Sequence, residues 1–193
     1  NLNQGIQYAL ENNYSFIARM DADDISTKDR IRKQYDFFIN NPTASIVGTG
    51  CNIIDKDNNL VGQRIPKSKI YLKDLFISCP IIHPSVMFRS SLIKSIGHYS
   101  KHYKKSQDYD LWFRITKAGH IIHTLQEPLL YFRYDPALIN RRKKEQLFNI
   151  SIKFNHITSN LKLFYVLPNI LILLIPELIL KYLLKLKLHL KNF

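Results

Sequence analysis

Cysteine is nearly absent from this chain of 193 residues. Cys51 and Cys79 stand far apart, with no CxxC and no Cys/His ligand spacing, which excludes a disulfide framework and a structural zinc. Both read as small core residues in a reducing compartment. Internal repeats and low-complexity tracts are missing too, so a repeat array does not organise the chain. Negative charge is scarce: 15 Asp and Glu face 28 Lys and Arg, for a formal net charge of +13. That balance points to an anionic partner: nucleic acid, a membrane surface or phosphorylated small molecules. No recognised nucleic-acid motif is present, and the excess cations are interleaved with apolar residues that suit lipid better. A clean membrane span is missing as well. The apolar run "LFYVLPNILILLIPELIL" is interrupted by Pro168, Asn169, Pro176 and Glu177, short of the roughly 20 apolar residues a span wants. No secretory signal opens the sequence, which starts with Asn inside a segment that reads at once as a helix.

What is present belongs to a folded protein, with 46% apolar and 12% aromatic residues. Leu2, Ile6, Ala9 and Leu10 share one side of the opening helix, and a short strand follows over Ser15 to Met20. Ser26 to Asp29 fits a capping box for a helix carrying Ile31, Tyr35 and Phe38 and ending near Pro42. "ASIVGTG" is a buried-type strand, and "NIIDKDNNLVG" predicts two strands about an Asp/Asn turn. Tyr71 to Ser78 reads as a helix, "HPSVMFRS" as a strand, and "SLIKSIGHY" as a short helix stopped by Gly97. "QDYDLWFRITKAG" predicts a helix with Leu111, Trp112 and Ile115 as its buried stripe, before two last strands in "HIIHTL" and "LLYFRY". Alternating helices and strands imply an α/β sandwich over residues 1–136. Residues 137–193 are expected to form a basic, apolar helical tail: from Arg141 onward ten Lys and Arg face two acids, Glu145 and Glu177. Such a segment suits a membrane interface at least as well as a span.

The chemistry gathers in three places. "ARMDADDIS" sets Asp21, Asp23 and Asp24 directly after an apolar strand in a basic chain. Close carboxylates repel one another, so a positive group is expected there. Two readings stay open: neutralisation by Arg19, Lys28 or Arg30, or a hard divalent cation on Asp21 and Asp23 that also bridges a substrate's phosphates. Asp108 and Asp110 flank Tyr109 at a helix start, where the dipole favours the anion; Asp108 reads either as that alone or as a general base. His83, before Pro84 at a strand entrance, is structural or catalytic, and Arg89 and Arg114 are candidates to meet phosphate or the acidic cluster.

In this order "YSFIARMDADDIS", "RIRKQYDFFINNP", "ASIVGTG", "HPSVMFRSS", "QDYDLWFRITKAG" and "LLYFRY" resemble the family 2 glycosyltransferases, inverting enzymes of the GT-A (Rossmann-like) fold that use nucleotide-sugar donors. The resemblance runs from residue 1 to about 135. It implies that Asp21 and Asp23 bind Mn²⁺ or Mg²⁺ and the donor diphosphate, with Arg19 beside them, and that Asp108 is the catalytic base. It puts His83, Gln107 and Trp112 on the acceptor side or in support, with Gln107 standing where relatives often carry Glu. It further implies a UDP-sugar donor, a glycan or lipid-linked acceptor, and cell-surface glycan synthesis at the cytoplasmic face of a bacterial membrane. The two strands with which relatives begin are not in this sequence. A partial GT-A domain is therefore expected, the C-terminal portion of such an enzyme. The alternative is a non-catalytic remnant or subunit that needs a partner chain to supply the nucleotide-binding half.

Overall fold

The computed structural model describes residues 2–134 and 148–157; the rest of the expected tail lies outside the described residues. Helix α1 (Leu2–Glu11) leads into strand β1 (Phe16–Ala18), the acidic turn, β2 (Ile25–Ser26) and α2 (Arg30–Asn40). The long β3 (Ile46–Ile54) and β4 (Leu60–Arg64) form a hairpin, and β5 (Lys69–Ile70) and α3 (Leu72–Ile77) follow. A 3-10 turn (His83–Ser85), β6 (Met87–Arg89), α4 (Ser90–Ile96), α5 (Gln107–Lys117) and β7 (Ile122–Arg133) complete the domain, and residues 148–156 add a helix, α6. Among the described residues no helix is long and apolar enough to cross a membrane.

The elements make one mixed sheet of seven strands, ordered β1-β6-β3-β7-β2, with β4 paired to β3 and β5 to β7. β3 is its axis. Successive side chains of a strand point to opposite faces, and here both faces are covered: Ile46 joins the core with Phe88, Leu111 and Trp112, while Val47 packs with Phe38, Ala44 and Met87 under α2. Residues 46–51 are all buried, as an interior strand covered on both sides requires. Phe38, Phe88 and Trp112 are almost fully shielded, and burying each contributes about 2–3 kcal/mol before entropy is counted. β6 is antiparallel to both β1 and β3, and β7 is parallel to β3, so β1, β3 and β7 point the same way.

The expected α/β sheet is present, with two local differences. The two last strands are one twelve-residue strand, β7. Pro128 has no N–H to donate, and it sits where the β3–β7 register shifts between Thr49 and Gly50, so the ladder passes it as a bulge. The capping box at Ser26 does not form. Ser26 is committed to β2, opposite Leu130, and the helix starts three residues later with Asp29 in the cap position. The predicted stops hold: Gly97 and Gly119 adopt φ of +89° and +88° just beyond α4 and α5.

Candidate active site

The acidic turn follows the carboxyl end of β1, Asp55 follows that of β3, and Arg133 ends β7. Because these three strands are parallel, the carboxyl ends of all three face one way, which is where open α/β sheets collect ligands. The turn is also a strap. It leaves β1 at one edge of the sheet and arrives in β2 at the other.

Two arginines hold the strap. Arg30, buried at the start of α2, donates from Nη1 to the Pro84 carbonyl at 2.8 Å and from Nη2 to the Arg19 carbonyl at 3.2 Å. Arg133 holds the other end: its backbone N–H donates to Asp24 Oδ1 at 2.9 Å, and its Nε donates to the Asp23 carbonyl at 3.0 Å. Asp24 is buried and its Oδ2 has no hydrogen-bond partner. Burial first, and the charges of Asp21 and Asp23 after it, push its carboxyl up to about 6 against the lowering bond from Arg133. Desolvation of this one carboxylate, rather than a lack of nearby cations, is the main cause of the rise.

Arg19 supplies the nearest positive charge. Its guanidinium meets both oxygens of Asp21, with Nη1 2.8 Å from Oδ2, as a two-pronged pair. Asp23 stays exposed to solvent. Among the described residues no group of three or more His, Cys, Asp and Glu is placed to cage a metal ion. The oxygen donors that could face a hard cation here are those of Asp21, which Arg19 holds, and Asp23, near the orphaned Oδ2 of Asp24; phosphate and water would have to complete its shell.

The second half of the site stands on α5. Asp108 lies in its first turn, half-buried, with Oδ2 3.8 Å from Nδ1 of His83. That is ion-pair reach but longer than a hydrogen bond. His83 Nε2 lies 2.8 Å from the Tyr99 hydroxyl, and its ring meets Trp112 edge-on at 5.7 Å. Burial, and then the charge of Arg19, hold the His83 imidazolium well below its usual range, so the ring is neutral. Tyr99 itself is fixed by Asn3, which donates to its carbonyl at 2.9 Å and accepts its N–H at 3.0 Å. Burial raises the Tyr99 phenol; Arg19 opposes the shift, and Asp108 and Asp21 add to it. Tyr99, against His83, and Arg133, at the acidic turn, are residues that sequence reasoning missed.

Other expectations resolve differently. Trp112 is wholly buried, its indole N–H without a partner, so it supports the His83 wall from inside the core. Gln107 opens α5, half-buried beside Asp108. Neither Arg89 nor Arg114 meets the acidic cluster. Arg89 lies over the rings of Phe16 and Phe38 and donates to the carbonyls of Ala44 and Phe38. Arg114 binds Asp110 at 2.8 Å and the carbonyls of Ile96 and His98 behind α4. Cys51 is buried in the core and Cys79 packs half-buried against it, the places expected of small core residues.

A mixed α/β sheet with carboxylates at the ends of its parallel strands defines a class of ligand-binding folds, and comparison with known proteins supplies the family. The sequence model described as "Glycosyl transferase family 2" matches residues 1–97, a span that includes the acidic turn and His83. The chain belongs to glycosyl transferase family 2. The O-antigen biosynthesis glycosyltransferase WbnJ of Escherichia coli is 34% identical over 136 residues, covering 68% of this chain and 53% of its own. The amylovoran biosynthesis glycosyltransferase AmsE of Erwinia amylovora is 29% identical over 143 residues, or 74% of this chain and 52% of its own. The chain thus spans about half the length of these relatives. A crystal structure of TarS from S. aureus aligns with 80% of this chain and 46% of its own, at 14% identity and a TM-score of 0.49.

Proposed function

We propose that this chain forms the diphosphate and acceptor sides of an inverting, partial GT-A glycosyltransferase that moves a sugar from a nucleotide donor to a hydroxyl acceptor, in cell-surface polysaccharide or lipid-linked glycan synthesis. The observation that supports this reading is the chain of contacts through His83, whose Nε2 lies 2.8 Å from the Tyr99 hydroxyl and whose Nδ1 lies 3.8 Å from Asp108 Oδ2, in a chain whose acidic turn pairs Asp21 with Arg19. In this reading Asp108 is the base. It is half-buried at a helix N-terminus, where the dipole favours a carboxylate, and 3.8 Å from a His83 ring that burial keeps from protonating. It takes the acceptor hydroxyl's proton as that oxygen attacks the anomeric carbon from the face opposite the leaving diphosphate. His83 and Tyr99 wall the acceptor side, and Arg19, released from Asp21, turns to the phosphates. Mn²⁺ or Mg²⁺, when bound by Asp21 and Asp23, supplies positive charge to the leaving diphosphate. The basic C-terminal segment supports a location at the cytoplasmic face of the membrane.

The test is a calorimetric titration of UDP with and without Mn²⁺, on this chain and on the full-length enzyme, paired with Asp108→Asn. Metal-dependent UDP binding is expected to survive the substitution while transfer falls by about 10²–10⁴-fold. Equal loss of both in a folded variant would make Asp108 a structural residue.

A further inference from the structure

The guanidinium of Arg133 reaches past the acidic turn. Besides the Asp23 carbonyl, its Nη1 donates to the Asp55 carbonyl at 2.9 Å and its Nη2 to Asn58 Oδ1 at 2.8 Å. Asp55 and Asn58 belong to the β3–β4 turn, which is stiffened by its own bonds. Asp55 Oδ1 accepts the N–H of Asp57 at 2.8 Å and of Asn59 at 2.9 Å, and Asn58 sits at φ +67°. One side chain at the end of β7 therefore ties the acidic turn after β1 to a rigid turn after β3. The strap has little else on this side, because Asp23 is exposed and the turn's own backbone bond, Asp24 N to Asp21 O, is long at 3.4 Å.

We infer that Arg133 is a positioning residue: through the Asp23 carbonyl and the β3–β4 turn it fixes where the acidic turn presents Asp21 and Asp23 to a phosphate-bound cation. The inference rests on the proposed donor site for its consequence, but not for its geometry. Lysine keeps the charge and cannot reproduce the fork, since three nitrogens of fixed spacing meet acceptors from two loops. The bond from the Arg133 backbone N–H to Asp24 is untouched by substitution, so β7 and β2 keep their pairing in either variant.

The decisive measurement is amide hydrogen exchange on Arg133→Lys and Arg133→Met, read peptide by peptide on this chain without ligand. Exchange is expected to rise at least tenfold in two separated stretches together, 20–24 and 55–59, and to stay at wild-type rates in 83–89 and 107–117. Unchanged exchange in both stretches overturns the inference, and so does a uniform rise across the sheet, which would mark Arg133 as ordinary scaffold. The second arm is calorimetry with Mn²⁺ and UDP, where about tenfold weaker binding is expected in both variants and in Asn58→Ala. Wild-type affinity in variants whose turns have loosened removes the link between strap and cation. Absence of UDP binding in the wild type sinks the donor-site reading instead, and exchange still decides the role of Arg133.

Discussion

Lys153 shows how strongly one side chain can be held against its own chemistry. It is 1% exposed in α6, and among the described residues its ammonium meets the Ile77 carbonyl at 3.4 Å, a weak partner for a full charge. Burial brings its titration down to about 8 from 10.5. The unfolded chain therefore binds the extra proton between about pH 8 and 10.5, and in that window Lys153 makes stability rise with pH. Below pH 8 the full cost of the buried charge remains. Lys153→Met is expected to stabilise the domain by about 1–2 kcal/mol at pH 7. It should also flatten the rise seen in the wild type between pH 8 and 10.5, as urea melts across that range would record. Legibility at this scale was uneven. The carboxylates of the acidic turn and Asp108 announce themselves by spacing, but the cation they meet does not. Arg19 lies within the motif, whereas Arg133 contacts groups about 75 to 110 positions away, and no local pattern marks it.

Elements were readable wherever one periodicity ruled. The stripe Leu111, Trp112 and Ile115 on α5 is buried as its spacing required, and the β3–β4 hairpin turns where Asp and Asn cluster. They were misread where a partner strand decided. Ser26 has the chemistry of a helix cap, but pairing with Leu130 takes it into β2, and a sequence window of four residues does not contain that competitor. Gly50 lies in a strand that was read correctly, but its close packing comes from partner strands. A Cβ there would lie 2.8 Å from Ile65 Cδ1, 3.0 Å from the Glu127 carbonyl and 3.1 Å from the Arg64 carbonyl. Two of the three are backbone, so the neighbours have little room to yield. Gly50→Ala is expected to cost about 1–3 kcal/mol in thermal or urea unfolding, by forcing β4 and β7 away from β3. Gly5→Ala, with nothing within 4 Å on an exposed turn of α1, should not lower the melting temperature.

Across the whole molecule, charge is divided by place. The carboxyl ends of the parallel strands carry the acidic turn, while the C-terminal segment carries a large cation excess among apolar residues. Attraction of that kind to anionic lipid weakens as salt shortens the Debye length from about 10 Å at 0.1 M to about 3 Å at 1 M. Co-sedimentation with phosphatidylglycerol vesicles is expected at 0.1 M salt and is expected to fall, without vanishing, at 1 M, since apolar insertion outlasts the screening. No sedimentation in low salt would remove the membrane from the proposal.

The pairing of β3 with β7 has a consequence in time. Val47 meets His123 across about 75 intervening residues, which at a ribosomal pace of 5–20 residues per second is roughly 4–15 seconds. For that interval β3, the most buried strand of the sheet, has only β4 and β6 for neighbours, and one of its long edges is an open template. A nascent chain stalled before residue 122 is therefore the species that chaperones should hold most tightly, and the arrival of β7 is the event that releases it.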